Sequence, residues 1–150
     1  MKLNDAWPVV TEPYISWILE QKFSSPQPKW NLVGVSLVKD VVPYEEAKLR
    51  LLNGSHSLIA YLGQLADKET VAETVDDEIF GKVVEGFMTE IGDTIELPKT
   101  LDLSDYQSEI FGRFCNIALN HKTAQIASDG SEKIPQRWLE AIIVLRREEK

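Results

Sequence analysis

Three polar side chains, Lys48, Asn53 and His56, interrupt an apolar segment at residues 43–65. Projected on a helix at about 100° per residue, they fall within an arc of roughly 140° that also contains Glu45. Such groups are costly to bury without partners, so their grouping on a leucine-rich helix indicates a catalytic site. A lysine whose charged form is disfavoured by apolar or cationic neighbours can act as a general base. An asparagine amide can donate to an oxygen that gains charge, as in an oxyanion hole.

The segment PYEEAKLRLLNGSHSLIAYLGQL predicts one helix from Pro43 to Leu65. Proline suits the first turn of a helix, and Glu45 and Glu46 lie near the positive end of the helix dipole. Leucines occur on both sides of the projection, which is typical of a buried helix. Gly54 costs about 1 kcal/mol relative to alanine in mid-helix and therefore indicates close packing.

Each of the polar residues also has a plain structural interpretation. Lys48 is consistent with a snorkelling lysine, whose stem lies along the core and whose head reaches water. Asn53 is consistent with a core amide that bonds a backbone group, and His56 with a satisfied core histidine. Glu45 is equally consistent with a first-turn carboxylate favoured by the dipole.

The segment KLRLLNGSHSLIAYLG, with its lead-in DVVPYEEA, resembles the catalytic helix of the mannitol dehydrogenase and fructuronate reductase family. Members of this family are long-chain, zinc-independent polyol and sugar-acid dehydrogenases. Their pattern of Lys, four residues, Asn, two residues and His is met by Lys48, Asn53 and His56. The resemblance runs from about Trp7 to Trp138, through WPVVTEPYISWILEQKF, VGVSLVKDVVPYE and RFCNIALNHKTAQIASDGSEKIPQRW.

This resemblance implies NAD-dependent hydride transfer between a polyol or sugar acid, such as mannitol or mannonate, and its keto form. Lys48 would take the hydroxyl proton, Asn53 would polarise the carbonyl, and His56 would bind substrate. Glu45 would help the proton exchange with solvent. The block RFCNIALNHKTAQIASDGS implies further substrate-binding residues: Arg113, Asn116, His121 and Lys122.

The second block also leaves alternatives open. Ile117 stands where proline commonly follows the asparagine in the family, which weakens the assignment of Asn116. Arg113 is also consistent with a structural ion pair to Glu109, one helical turn back. Cys115 is interpreted as a core thiol and not as a nucleophile.

Composition narrows the class of protein. The chain has 150 residues, enough for a single domain over residues 1–150, and its apolar fraction of 43% is that of a globular protein. The net charge of −8 argues against nucleic-acid and anionic-membrane partners. A single cysteine fits a reducing compartment, and no run of about 18 apolar residues occurs, so we expect a cytoplasmic protein. Two histidines and one cysteine without ligand spacing predict no metal site.

The eight glycines are scattered and form no GxGxxG turn, which a dinucleotide site requires. Compared with the family, the chain therefore resembles a C-terminal substrate domain without its Rossmann domain. The resemblance implies that the Rossmann domain would hold NAD, contribute a second asparagine and determine whether NAD or NADP is used. The resemblance also implies that further C-terminal helices are missing and that the chain alone is inactive. One alternative is a truncated, non-catalytic helical interaction module. Another is a generic bundle, in which Lys48, Asn53 and His56 would point to different surfaces.

The predicted fold is mainly α, and the resemblance implies a 6-phosphogluconate dehydrogenase C-terminal domain-like fold. The N-terminal segment predicts extended backbone to Thr11, a short helix over Pro13–Gln21, a loop over Ser24–Trp30 and a strand over Leu32–Val42. Further helices are predicted over Thr70–Ile91, Ser104–Ser128 and Ile134–Glu149, with Ser104 as an N-cap and a turn at residues 129–131. Residues 76–78 are expected to face water.

Overall fold

The computed structural model describes residues 4–8, 12 and 14–148, with side chains described up to residue 147. The chain divides into two compact units, residues 1–39 and residues 40–150. Helices dominate the second unit, so the predicted mainly α class is confirmed. A single domain over residues 1–150 stays a prediction.

Two short parallel strands organise the first unit: β1 (Ile18–Glu20) and β2 (Ser36–Val38), with Leu19 opposite Leu37. Their crossover contains a 3₁₀ turn over Trp30–Val33. The turn ends at Gly34, whose φ of 93° is a conformation that glycine adopts without steric cost. The predicted strand over residues 32–42 is thus observed only at β2.

The helix predicted for residues 13–21 is wrong where the structure describes it. Residues 14–17 are irregular and residues 18–20 form β1, because their backbone pairs with β2. The N–H of Ser36 donates to the carbonyl of Trp17 at 2.9 Å. Pairing with a distant segment therefore overrides local helix propensity here. The extended backbone predicted up to Thr11 falls partly on residues 9–11, outside the described residues.

One continuous helix, the central helix at residues 42–65, organises the second unit and confirms the helix predicted for residues 43–65. It consists of α1 (Val42–Ala47), a π-helical turn at Lys48–Asn53 (the first π turn) and α2 (Gly54–Leu65). At the end of the first π turn, the N–H of Gly54 donates to the carbonyl of Leu49, five residues back, as in a π-helix. This turn was not predicted from the sequence.

The helix predicted for residues 70–91 is two helices, α3 (Val71–Val75) and α4 (Glu78–Gly92). Asp77 separates them, because its Oδ1 accepts the N–H groups of Ile79 (3.1 Å) and Phe80 (3.4 Å) as an N-cap. The four-residue spacing of apolar residues predicts one stripe along a single helix, formed by Val71, Val75, Ile79, Val83, Phe87 and Ile91. The new start of α4 breaks this stripe at Ile79. Ile79 is 71% exposed, whereas Val84 is fully buried.

The helix predicted for residues 104–128 is also interrupted. It is replaced by α5 (Leu103–Phe114), a 3₁₀ turn over Ile117–Leu119 and α6 (Thr123–Ala127). The N-cap of α5 is Asp102 and not Ser104, since its Oδ1 accepts the N–H of Asp105 at 3.0 Å.

The C-terminal helix begins earlier than predicted. Asp129 adopts a positive φ of 56°, and α7 (Gly130–Ile134) starts where the sequence predicts a turn. A second π turn (Pro135–Leu139) and α8 (Glu140–Glu148) follow. Residue 149, the predicted end, lies outside the described residues.

The core of the second unit forms where α2 packs on α3, α4 and α6. It excludes Leu65, which is 85% exposed at the end of the central helix. No helix in the described part of the chain combines the length and apolar character needed to cross a membrane. The buried apolar cluster comprises Leu51, Ile59, Val71, Val75, Val84, Met88, Ile91, Ile110, Phe114 and Ala141.

Thr70 starts α3 with a capping box, and its removal should be measurable. Its Oγ1 accepts the N–H of Glu73 (3.2 Å), and Glu73 Oε2 accepts the N–H of Thr70 (3.1 Å). We expect Thr70→Ala to lower the free energy of unfolding by about 1–2 kcal/mol in urea titrations. The control is Thr89→Ala, because that hydroxyl only bonds the Glu85 carbonyl on an exposed face. Equal losses in the two variants would contradict the role of the cap.

Candidate functional site

Lys48 and Asn53 occupy the two ends of the first π turn. A π-helix hydrogen-bonds residues five positions apart, so these two residues lie one turn apart along the same side of the central helix. In α-helical geometry the same pair would be separated by about 140°. The first π turn therefore brings the two predicted catalytic residues closer than the helical projection implied.

The surroundings of Lys48 differ from the expected ones. Lys48 is exposed and Asn53 is partly buried. Leu51, three residues along the central helix, is fully buried in the core. Apolar neighbours around Lys48 were expected from the sequence. The described residues of this chain do not enclose it in an apolar pocket.

His56 lies one α-helical turn beyond Asn53, beside residues from two other segments. Its ring centroid is 5.2 Å from that of Phe114 and 5.7 Å from that of His121. His121 is held there by its backbone, since its carbonyl accepts the N–H of Val71 at 3.0 Å. The Nε2 atom of His56 is buried and has no hydrogen-bond partner. An unpartnered buried nitrogen is costly, which makes His56 a candidate for a binding role.

The charge around His56 is positive. Burial, together with the smaller effects of the neighbouring charges of His121, Arg137 and Arg113, lowers its pKa to about 4. His56 is consequently neutral at pH 7. A neutral imidazole carries one N–H donor and one acceptor nitrogen, which suits it to bind a hydroxyl group.

This lowered pKa predicts a pH-dependent stability. The unfolded chain binds a proton at His56 near pH 6.5, whereas the folded chain binds it only near pH 4, so stability falls as the pH drops through this window. Between pH 7 and pH 5 the loss due to His56 should be about 1–2 kcal/mol. Urea titrations at both pH values should show a smaller loss for His56→Gln. Equal pH dependence in the two proteins would refute the lowered pKa of His56.

The other predicted site residues divide into two groups. Arg113 and His121 lie close enough to His56 to affect its pKa. Asn116 instead caps the 3₁₀ turn, since its Oδ1 accepts the N–H of Ala118 at 3.0 Å. The Nζ of Lys122 is 2.5 Å from Glu69 Oε1 in an ion pair. Glu45, one turn before Lys48, is exposed.

A separate cavity of about 290 Å³ contains none of the predicted catalytic residues. Cys115 opens into it and is exposed, so its interpretation as a core thiol is wrong. Desolvation and the carboxylates of Asp76 and Glu85 raise the pKa of this thiol, which opposes thiolate chemistry. In the described ranges, no three His, Cys, Asp or Glu residues gather as metal ligands. The cavity is lined by Thr70, Ala72, Glu73, Asp76, Cys115, Ile117 and Asn120.

Two residues that contact the central helix at the site were not predicted from the sequence. Arg137 Nη1 donates to the carbonyl of Asn53 (3.1 Å) and to Ser57 Oγ (2.7 Å). Trp138 Nε1 donates to the carbonyl of Gly54 at 3.1 Å. Their only signal in the sequence was Gly54, where a Cβ would lie 3.4 Å from Trp138 Nε1. This contact explains the predicted close packing at Gly54.

Comparison with known proteins places this geometry in a family. Residues 40–150 match the family described as the mannitol dehydrogenase C-terminal domain. The D-mannonate oxidoreductase of Escherichia coli (strain K12) is 43% identical over 139 residues, which cover 92% of this chain and 29% of the relative. A mannitol 2-dehydrogenase of Aspergillus clavatus is 40% identical over 138 residues, covering 89% of this chain and 28% of the relative. The chain thus spans less than a third of the length of these relatives.

Solved structures agree with the sequence match. A ternary complex of Pseudomonas fluorescens mannitol 2-dehydrogenase with NAD and D-mannitol superposes with a TM-score of 0.88 at 39% identity, covering 97% of this chain and 30% of the other. A substrate-free D-sorbitol dehydrogenase gives a TM-score of 0.84 at 28% identity, covering 89% of this chain and 28% of the other. The resemblance read from the Lys, Asn and His spacing is therefore confirmed. The chain belongs to the mannitol dehydrogenase family, and its residues 40–150 correspond to the C-terminal domain of that family.

Proposed function

We propose that this chain supplies the substrate-binding and catalytic groups of an NAD-dependent oxidoreductase that interconverts a polyol or sugar acid with its keto form. The observation that carries the proposal is the first π turn, with Lys48 and Asn53 one turn apart and His56 one turn further on. The names of the relatives, D-mannonate oxidoreductase and mannitol 2-dehydrogenase, support the substrate class.

In this proposal, Lys48 is the general base of the oxidation. The proton of the substrate hydroxyl passes to Lys48 Nζ while the C–H electron pair leaves as hydride, so that a C=O bond forms. The Asn53 amide donates a hydrogen bond to the same oxygen and stabilises its developing charge. Glu45, one turn from Lys48, relays the proton to solvent. The exposure of Lys48 in this chain leaves its Nζ accessible to substrate.

His56 and Arg113 hold the rest of the substrate. The unpartnered Nε2 of His56 gains the hydrogen bond that it lacks in this structure when a sugar hydroxyl is bound. The guanidinium of Arg113 can bind two oxygens of a hydroxyl pair or a carboxylate. His121, beside His56, completes this subsite. Asn116 and Lys122 flank the subsite and hold the loop that carries His121.

The cofactor must be held mainly by another domain. Seven of the eight glycines lie within helices, and none forms the strand–turn–helix that a dinucleotide pyrophosphate needs. Within the part of the chain that the structure describes, the residues therefore do not form an NAD site of their own. NAD, when held by a Rossmann domain, supplies the acceptor for the hydride. Contact with that domain would also remove water from Lys48 and favour its neutral form. We further propose a cytoplasmic, metal-independent enzyme with no nucleic-acid or membrane partner.

The test is a fusion of this chain to the N-terminal part of the Escherichia coli D-mannonate oxidoreductase. NAD and NADP reduction is measured with a panel of polyols and sugar acids, for the fusion, for this chain alone and for the N-terminal part alone. We expect turnover only in the fusion, and the best substrate identifies the class. A folded fusion that is inactive with every substrate would favour the non-catalytic interaction module instead.

A further inference from the structure

The second π turn contacts the first. Arg137 belongs to the second π turn (Pro135–Leu139), and its Nη1 reaches the carbonyl of Asn53 and the hydroxyl of Ser57. Trp138 reaches the next carbonyl, that of Gly54. Three hydrogen bonds from two adjacent side chains thus meet the central helix at the end of its first π turn.

These contacts supply support that a π turn needs. π-helical geometry accounts for well under 1% of residues in globular proteins, because it packs the backbone less favourably than the α-helix. A carbonyl oxygen has two lone pairs, so the oxygens of Asn53 and Gly54 can accept a side-chain donor in addition to a helical N–H. A donor from a neighbouring element is one recognised cause of an altered helical ladder. Arg137 and Trp138 are such donors, placed where the π turn returns to α geometry.

Arg137 is partly buried, and contacts with its neighbours hold its side chain in place. Burial lowers the pKa of its guanidinium, and its partner Ser57 is fully buried. Trp138 packs edge-on against Tyr61 and Phe87, with ring centroids 6.1 Å and 5.9 Å apart, respectively. The segment is also tied to the first π turn by Arg50, whose Nη2 is 2.6 Å from Glu140 Oε2. The donor group is therefore fixed before any substrate binds.

We propose that Arg137 is a positioning residue, whose hydrogen bonds to Asn53 and Ser57 stabilise the first π turn and so keep Lys48 and Asn53 on one side of the central helix. This inference rests on the proposed function, because the turn matters for activity only if Lys48 and Asn53 are the reacting pair. Without the bonds, the turn can relax toward α geometry, in which the two side chains diverge by about 140°. Arg137 itself contacts no reacting atom in this scheme.

The experiment uses the fusion enzyme with Arg137→Met and Arg137→Lys. Methionine keeps an apolar stem but loses every donor, whereas lysine keeps the charge and a donor to the Asn53 carbonyl. Arg146→Met is the matched control, because Arg146 is an exposed arginine of α8. We expect Arg137→Met to lower kcat by roughly 10- to 100-fold with KM changed less than about threefold, since a displaced catalytic group costs rate more than binding. Arg137→Lys should recover part of the loss, and Arg146→Met should match the parent.

Hydrogen exchange on this chain separates the positioning role from general destabilisation. Arg137→Met should speed amide exchange at residues 52–57 while the midpoint of urea unfolding moves little. An active parent fusion with unchanged kcat in Arg137→Met would overturn the inference and leave the proposed function standing. A kcat loss matched by a proportional loss of folded protein, with no recovery in Arg137→Lys, would also overturn it. An inactive parent fusion would overturn the proposed function, and this inference with it.

Discussion

Lys48→Met is expected to lower kcat/KM of the fusion enzyme by roughly 10²- to 10⁴-fold, the usual contribution of a positioned general base. Methionine has a similar length and no proton acceptor, so the hydroxyl proton would have to pass to water. Because Lys48 is exposed, its removal leaves no cavity and should not change the free energy of unfolding. Steady-state rates of polyol or sugar-acid oxidation at pH 7 measure the loss of activity. Urea titrations of the same samples measure the free energy of unfolding.

The control for this prediction is Lys82→Met. Lys82 is an exposed lysine of α4, paired at 2.6 Å with Glu78, and such surface pairs contribute little to stability. Its activity should equal that of the parent. Residual activity of Lys48→Met should rise with pH, because hydroxide then replaces the missing base. Parent-like turnover of Lys48→Met at pH 7 would remove Lys48 from the proposed mechanism.

Gly63→Ala is expected to cause the largest loss of stability, about 1–3 kcal/mol, by overpacking the crossing of α2 with α3 and α6. A Cβ at this position would lie 2.6 Å from Thr74 Oγ1 and 2.7 Å from Thr123 Cγ2. Both threonines are fully buried, and neither can move away freely. The Thr74 hydroxyl donates to the Thr70 carbonyl at 2.8 Å, and the Thr123 hydroxyl donates to the Lys68 carbonyl at 2.9 Å.

Two further variants test this explanation by urea unfolding of the chain. Gly86→Ala, in α4, has no atom within 4 Å of the new Cβ and should stabilise the chain by about 0.5–1 kcal/mol through helix propensity. Adding Thr123→Ser to Gly63→Ala removes one clashing methyl group and keeps the hydroxyl, so part of the stability should return. Gly63→Ala with parent stability would show that the crossing can open without cost.

The sequence predicted several elements because their signals are local. The central helix is specified by its N-terminal proline, its first-turn carboxylates and a dense run of helix-forming residues. The break before α4 also had a local signal, since Asp77 is a preferred N-cap residue. The four-residue apolar period of residues 71–91 outweighed it in the prediction. The true stripe includes Val84 and Met88, because the helix restarts in a new register at the cap.

Other elements had no local signal. β1 forms from residues 18–20 only because β2 offers a partner, and three residues of strand are too few for a pattern. Cys115 appeared apolar between Phe114 and Asn116, yet it is exposed because α5 ends at Phe114. The exposure of Lys48 likewise follows from how the helices pack and not from its leucine neighbours in sequence.

By itself, the sequence determined the helical class, the central helix and the family, because residue period, capping and the Lys, Asn and His spacing are properties of short segments. The tertiary structure alone decided how those residues face one another. The first π turn depends on donors from Arg137 and Trp138, more than 80 residues along the chain. The positive surroundings of His56 depend on Arg113, His121 and Arg137, which separate segments bring together. Contacts between distant segments set both features, and no local pattern encodes where such contacts form.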